Sequence, residues 1–282
     1  MIQKAVQQIM LGTVTKTEEQ ARQTLAAIRA AGYDSIELNG FMIHPTSFLV
    51  RMMTKAAGMP VGKGGKLDWQ RLVKESGLQV LSLHTDLGSL KRDAQTVARE
   101  AKDFGTQYVV ITGMYRFDYG DAAALKQLCE DLNACGSTLA ENGLRLLYHN
   151  HNVEFRRLPG GQTAYDFILE NTDVNYVNFE FDSYWPTEAG VNVPALMERL
   201  GSRMKLWHIN DRGSRVTGPS MTPILQSDSM ELGAGNMDLE GLTKLAKANG
   251  IDGVVLESHK NWVDGDPVKS LQVSARFLNE HF

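Results

Sequence analysis

The chain alternates between short β-rich segments and helical segments from one end to the other. The predicted strands cover residues 6–13, 35–39, 80–84, 108–112, 145–149, 176–182, 204–209 and 253–257. Segments rich in Ala, Leu, Glu and Lys predict helices over residues 17–31, 68–76, 93–104, 122–141, 163–170, 193–200, 239–248 and 268–282. Strict alternation favours a parallel sheet. Eight such units close naturally into a (β/α)8 barrel, an α/β fold.

Glycine positions support the same assignment. Five glycines each follow a predicted helix and precede a strand, where a left-handed residue commonly ends a helix: Gly32, Gly77, Gly105, Gly143 and Gly250. An open, doubly wound sheet is the competing fold. It predicts a Gly-rich phosphate-binding turn after the first strand, and the segment LGTVTKTEEQ contains none.

We expect a single domain over residues 1–282, with two long segments inserted after strands. Residues 40–66 form a Met-rich insertion after the second strand, and residues 213–236 form a polar loop after the seventh. Long loops after barrel strands lie at the mouth of the barrel and often form lids. The Met-rich insertion fits a lid and a short helix on the rim equally. It could also form the surface of a homo-oligomer, since methionine adapts to irregular contacts.

Composition excludes several classes of protein. The net charge of −4 provides no basic surface for nucleic acid. Cys129 and Cys135 match neither a thiolate metal motif nor a disulfide framework, which indicates two reduced thiols. Gln7 and Gln8 interrupt the apolar stretch that a signal peptide would need, and no apolar run approaches the ~18 residues that span a bilayer. We therefore expect a cytoplasmic protein without a membrane or nucleic-acid partner.

Imidazoles and carboxylates are concentrated where predicted strands end. Five of the seven histidines lie there, namely His84, His149, His151, His208 and His259. Acidic residues occupy similar positions, namely Glu154, Glu180, Asp182, Asp211 and Glu257. Because the carboxyl ends of barrel strands meet at one mouth, these groups should converge. Nitrogen and oxygen donors from several strands are what a divalent metal needs.

Side-chain alternation along the strands selects the ligands of this site. Asp182, His208 and Glu257 stand at or near the last position of their strands and should face the central pocket. The fourth ligand stays open between His151, Glu154 and His149. A hydrogen-bonded polar network without metal is the alternative for the whole set, because buried polar groups always need partners.

The segments YHNHNVEF, FEFDSYW, WHIND, ELGAGNMD and VVLESH, in this order, resemble the sugar isomerase/epimerase superfamily with the xylose-isomerase-like barrel. The branch of sugar phosphate isomerases/epimerases also contains inosose dehydratases and keto-sugar epimerases. The resemblance is close over the second half of the chain, and the first half matches in strand order and in the segment SIEL, which contains Glu37.

The resemblance implies one divalent metal, most often manganese, with zinc, cobalt or magnesium as alternatives. A Glu/Asp/His/Glu set holds it in the family, and the last three of these fall on Asp182, His208 and Glu257. This chain has His149 where many members have the first glutamate. That departure leaves the ligand set and any carboxylate base at this position in question.

The chemistry that follows is proton abstraction beside a carbonyl. A divalent ion stabilises the enediolate formed when a ketose loses its α-proton. Glu257 is the leading acid/base group, Glu154 or His151 its partner on the opposite face, and His149 a further catalytic candidate. Substrate contacts are expected from His84, Glu37, Trp185, Asp211, His259 and Arg212. Alternatively, Asp211 and His259 orient the ligands.

The sequence thus predicts a metal-dependent isomerase or epimerase acting on a small keto-sugar or sugar derivative. A metal-dependent dehydratase or lyase acting on a keto-sugar or inosose is the first alternative, because both reactions pass through the same intermediate. A sugar-binding protein without turnover is the second alternative.

Overall fold

The computed structural model describes residues 1–45, 52, 65–112, 114, 116–216, 218–219 and 221–282. Its strands are β1 (Gln3–Gln7), β2 (Ser35–Asn39), β3 (Gln79–Thr85), β4 (Tyr108–Ile111), β5 (Arg145–His149), β6 (Val177–Asp182), β7 (Met204–Ile209), β8 (Asp211–Gly213), β9 (Asp228–Met230) and β10 (Gly253–Leu256). Strands β1 to β7 and β10 close a parallel barrel in sequence order. The predicted (β/α)8 fold is confirmed.

Helices follow the barrel strands as the alternation predicts. They are α1 (Glu18–Ala30), α2 (Gly40–Ile43), α3 (Trp69–Ser76), α4 (Leu87–Arg92), α5 (Ala94–Asp103), α6 (Ala122–Glu141), α7 (Ala164–Asn171), α8 (Tyr184–Glu188), α9 (Val193–Leu200), α10 (Leu239–Asn249) and α11 (Pro267–His281). Short 3-10 segments cover Gln8–Leu11, Val153–Phe155, Gly201–Arg203 and Val263–Gly265. None of the helices in the described ranges is long and apolar enough to cross a membrane.

The described chain divides into two compact units. The first unit comprises Met1–Gln79, His208–Thr243 and Val254–Phe282, and the second comprises Val80–Trp207 and Lys244–Gly253. In the first, β1 pairs with β2, so that Ala5 lies beside Ser35 and Val6 beside Ile36. The expectation of a single domain over residues 1–282 stays a prediction.

The second unit sets the register of four consecutive strands. His84 of β3 lies beside Val110 of β4, and His149 of β5 lies beside Glu180 of β6. Because side chains alternate between the two faces of a strand, this pairing places His149 and Glu180 on the same face of the sheet. The polar residues of neighbouring strands therefore lie in contact.

Most predicted elements agree with the structure to within two residues at each end. The strands over residues 35–39, 145–149 and 204–209 and the helices over residues 122–141 and 193–200 have the predicted bounds. The five predicted helix-ending glycines all have positive φ, between 73° and 100°. Strong periodicity with a glycine stop therefore defined these elements correctly.

The predicted first strand is wrong in its extent. A strand over residues 6–13 was expected, and the structure has a strand over Gln3–Gln7 followed by a 3-10 turn. The Gln7 side chain accepts hydrogen bonds from the backbone amide of Ile9 at 2.8 Å and from the Asn39 side chain at 2.6 Å. This side-chain cap favours a turn at a point where an apolar run alone does not distinguish turn from strand.

The two inserted segments differ in how much the structure shows of them. Most of the Met-rich insertion at 40–66 lies outside the described residues, apart from α2 and its flanks. The loop at 213–236 carries a two-stranded antiparallel ribbon of β8 and β9, which pairs Asp211 with Met230. Strands of three residues have too little periodicity to be predicted from sequence.

Gly136 on α6 tests the packing of this helix against the loop before β6. A Cβ atom added at Gly136 would overlap the backbone oxygen of Tyr176. We expect Gly136→Ala to lower the free energy of unfolding by about 1–3 kcal/mol through overpacking, despite the better helix propensity of alanine. Urea denaturation measures this change in the free energy of unfolding. Gly218→Ala, where no atom lies near the added Cβ, should be neutral; equal stability of both variants would contradict this packing.

Candidate functional site

Four ionisable residues at or just after strand ends are almost fully buried. His149 closes β5, Asp182 closes β6, His208 is next to last in β7, and Glu257 follows β10. Their exposed fractions are 2%, 3%, 1% and 7%. Buried charges require partners or a metal, because transfer out of water is unfavourable for an isolated ion.

In the second unit, Glu180 lies between two histidines. Its Oε2 atom is 2.8 Å from Nε2 of His84 and 3.1 Å from Nδ1 of His149. The two imidazole rings meet edge to face with centroids 5.5 Å apart. The carboxylate thus holds both rings in fixed orientations, a role that metal sites commonly assign to a carboxylate behind a ligand.

Asn150 holds the backbone of Asp182. The Asn150 amide donates to the backbone oxygen of Asp182 at 3.0 Å and accepts from its backbone amide at 3.1 Å. The Oδ1 atom of Asp182 accepts from the backbone amide of Tyr184 at 2.7 Å. This carboxylate is therefore oriented before any ligand binds.

In the first unit, His208 lies between two glutamates. Its Nδ1 atom is 2.8 Å from Oε2 of Glu257, and its Nε2 atom is 2.7 Å from Oε1 of Glu37. His259 lies on the other side of Glu257, with its Nε2 3.6 Å from Oε1. A proton on Nε2 donated to Glu37 leaves Nδ1 with a lone pair, the form of imidazole that binds a metal.

Among the described residues, two overlapping groups have donor atoms that all lie within 4.8 Å of one another. One group is His149, Asp182, His208 and Glu257, and the other is His84, His149, Glu180 and His208. Nitrogen and carboxylate oxygen donors in this mixture suit zinc and manganese and tolerate cobalt or magnesium. This buried cluster could bind a metal, and it includes the three ligands predicted from sequence.

Glu154 and His151 lie outside both groups, and their role as ligands stays a prediction. Glu154 accepts hydrogen bonds from the Tyr148 hydroxyl at 2.9 Å and from the backbone amide of His151 at 3.0 Å. Tyr119 extends this series of hydrogen bonds, because its hydroxyl lies 3.1 Å from that of Tyr148. Burial raises the pKa of Glu154 to about 7. The hydrogen bonds favour the charged form and act in the opposite direction, but their effect is smaller.

The predicted substrate contacts fall into different surroundings. Trp185 is partly exposed on α8, and its ring lies 5.6 Å from that of His151. Asp211 is buried, and its carboxylate accepts from the backbone amides of Gly233 and Gly235 at 3.0 and 2.9 Å, as well as two further backbone amides. It therefore anchors the ELGAGNMD loop. Arg212 on β8 is half-buried.

Sequence reasoning did not identify Asn150, Tyr148 or the histidine partners of Glu180. The sequence identified Glu180 as one of the acidic residues at strand ends, and its partners in the structure are His84 and His149. Asn150 sits between two histidines at a strand end, and a buried amide there signals a partner in the next strand. Tyr148 carries no such signal, since tyrosine is an ordinary core residue.

Glu37 should affect metal affinity through His208. We expect Glu37→Gln to weaken Mn²⁺ binding by about 10- to 100-fold, because the loss of its charge removes the preference for a proton on Nε2 of His208. Calorimetric titration of the substrate-free protein with Mn²⁺ measures this. Glu240→Gln, at an exposed position on α10, should bind within about twofold of the unmodified chain. Unchanged affinity in Glu37→Gln would rule out this orienting role.

Glu154 should make folding stability depend on pH. A carboxyl group whose pKa is raised by folding binds its proton more tightly in the folded state, so stability falls as pH rises from about 4.5 to about 7. The full effect is roughly 3 kcal/mol. Urea denaturation of the metal-free protein at pH 5 and pH 8 should show a smaller pH dependence for Glu154→Gln. The same dependence in both proteins would contradict a raised pKa.

The curated relatives of this chain include inosose dehydratases from two bacteria. The chain is 24% identical to an inosose dehydratase of Clostridium perfringens over 163 residues, 55% of this chain and 54% of that protein. The Salmonella typhimurium inosose dehydratase is 25% identical over 162 residues, 54% of this chain and 52% of that protein. The chain spans about half the length of the curated relatives it matches.

Solved structures share the whole fold. A sugar phosphate isomerase/epimerase from Parabacteroides distasonis aligns with a TM-score of 0.77 and 21% identity, covering 98% of this chain and 93% of that one. An L-ribulose 3-epimerase has a TM-score of 0.69 and 14% identity, covering 100% and 94%. The IOLI protein, with a bound zinc atom, has a TM-score of 0.68 and 16% identity, covering 100% and 99%. Residues 25–281 match the family described as xylose isomerase-like TIM barrel, and the chain belongs to that family.

Proposed function

We propose that the protein is a divalent-metal-dependent isomerase or epimerase of a small keto-sugar or sugar derivative. One observation carries the proposal: four buried residues, His149, Asp182, His208 and Glu257, have donor atoms within 4.8 Å of one another. A purely structural role is a poor explanation, because apolar residues of similar volume are often as stabilising as buried ion pairs. The family and its sugar-processing members support a carbohydrate substrate.

The donor set fits a divalent cation. Two carboxylates and two imidazoles match the chemistry of manganese and zinc sites, and we expect manganese first, with zinc, cobalt or magnesium as alternatives. When bound, the ion acts as a Lewis acid that stabilises negative charge developing on a substrate oxygen. His149, Asp182, His208 and Glu257 would hold it, while Glu180 and Glu37 keep the imidazoles oriented.

Proton transfer falls to groups of this chain. Glu257 is the leading base that removes the proton beside the substrate carbonyl, and His259 lies within 3.6 Å of its carboxylate. His151 is the better partner on the opposite face, because its ring is partly exposed, whereas Glu154 is fully buried. Glu154 would then fix the backbone of His151. Trp185, beside the His151 ring, offers an apolar surface for a sugar.

Return of the proton decides the product. Delivery to the neighbouring carbon gives isomerisation, and delivery to the opposite face of the same carbon gives epimerisation. Loss of a β-hydroxyl from the same intermediate gives dehydration, which is the second candidate function. The relatives named inosose dehydratase support that candidate. A sugar-binding protein without turnover is the remaining alternative, since His149 replaces a glutamate common in the family.

Metal content and solvent exchange test the proposal together. Protein purified without chelator should hold about one divalent ion per chain. In D2O, a panel of pentuloses and hexuloses should include one whose proton beside the carbonyl exchanges, followed by proton NMR. The same spectra distinguish an epimer, an aldose and a dehydrated product. Asp182→Ala should lose both the metal and the exchange, because it removes a charged ligand.

A matched variant separates the site from general effects. Asp118→Ala removes an exposed carboxylate that pairs with Arg156, and it should keep metal and exchange. Glu257→Gln with metal retained and exchange lost would support the acid/base role. If the protein takes up no metal, even from excess manganese, the proposal is wrong. Metal without exchange on any sugar tested would favour the binding protein.

A further inference from the structure

A cavity of about 410 Å³ opens where strands β5, β6 and β7 begin. Its walls include Arg145 at the start of β5, Asn178 near the start of β6 and Lys205 near the start of β7. Arg145 and His149 are the first and last residues of the same strand, so their Cα atoms are about 13 Å apart. This cavity, which we call the amino-end cavity, is separate from the candidate metal centre.

Two cationic side chains line the amino-end cavity without a carboxylate of their own. Neither Arg145 nor Lys205 forms an ion pair with any residue in the described ranges. The Tyr108 hydroxyl, which lies beside Arg145, donates a hydrogen bond to the carboxylate of Asp252 at 2.5 Å. The cavity therefore has a positive charge that the surrounding protein compensates only in part.

Asn178 contributes an amide group to the same cavity. Asn178 is 9% exposed, and its side chain makes no hydrogen bond to any other described residue. The nitrogen and oxygen of this amide are not fully enclosed, so a molecule in the cavity can reach both of them. Asn178 lines the cavity beside the two cations, and it can both donate to and accept from a bound molecule.

The loop that forms one wall is held in place. The carboxylate of Asp173 accepts from the backbone and side-chain amides of Asn175 at 2.8 and 2.9 Å. Gly136 of α6 packs directly against the backbone of Tyr176. Contacts within the protein thus fix this wall, which lowers the entropy that binding must overcome.

We propose that the amino-end cavity binds a small organic anion, a carboxylate or a phosphate. Arg145 and Lys205 supply charge-assisted hydrogen bonds to the anionic group, and Asn178 forms a hydrogen bond with an adjacent donor or acceptor of the ligand. The volume lies within the range of small-molecule sites. Tyr176 and Leu144 give the remaining part of the ligand an apolar surface. The proposal does not depend on the proposed function.

The test is a titration of the full chain with inorganic phosphate and, separately, citrate at constant ionic strength. Binding is followed in ¹H–¹⁵N spectra through the side-chain amide of Asn178, assigned from Asn178→Asp. We expect a saturable shift of this signal with at least one of the two anions. The double variant Arg145→Gln, Lys205→Gln should weaken that binding by at least about tenfold. Preference between the anions identifies phosphate or carboxylate as the recognised group.

Two controls make the result specific. Lys126→Gln removes an exposed charge on α6 and should leave the affinity within about twofold. Asp182→Ala should also leave it unchanged, because that residue belongs to the candidate metal centre. No saturable shift with either anion would overturn the proposal. An equal loss of anion affinity in Lys126→Gln would also overturn it, because that result indicates diffuse charge attraction. A loss of anion affinity in Asp182→Ala would overturn it as well, because that result places the anion at the candidate metal centre.

Discussion

Burial of ionisable side chains at the strand ends is the constraint on which this structure depends. Three imidazoles and four carboxylates are almost fully excluded from water on the barrel strands or directly after them: His84, His149, His208, Glu37, Glu180, Asp182 and Glu257. Each carboxylate in such surroundings needs a positive partner, because the charged form is otherwise strongly disfavoured. Imidazole nitrogens lie within 3.1 Å of the carboxylates of Glu180, Glu257 and Glu37. A divalent cation would supply the remaining positive charge and stabilise the folded chain by binding only to it.

The two faces of strand β5 carry residues that contribute to different parts of the molecule. In β5, Arg145 and His149 lie on one face, and Tyr148 lies on the other. The first face provides a cation at the amino end and a residue of the candidate metal centre at the carboxyl end. Tyr148, on the other face, donates to Glu154, which in turn holds the backbone of His151. One five-residue strand thus contributes to the amino-end cavity, the candidate metal centre and the support of the following loop.

The sequence predicted which residues of the candidate site lie at strand ends, but it did not predict their partners. Asp182, His208 and Glu257 were expected together because the carboxyl ends of barrel strands meet at one mouth. The pairing of Glu180 with His84 was not, since these residues are 96 positions apart and the sequence does not specify which strands are neighbours at which height. Asp211 was expected to contact a substrate or to orient the ligands, and in the structure its carboxylate accepts hydrogen bonds from backbone amides of a loop more than 20 residues later. Such a contact follows from loop conformation, which periodicity does not encode.

The sequence by itself determined the order of strands and helices, their ends at glycines, and the types of residue at the strand ends. These features are local, because backbone preferences and side-chain alternation act over a few residues. Only the tertiary structure decided which imidazole faces which carboxylate, that Glu154 is buried beneath tyrosines, and that Asn178 lines a cavity beside two cations. These features depend on register between strands and on the packing of distant segments, where a shift of one residue would reverse the face that a side chain occupies.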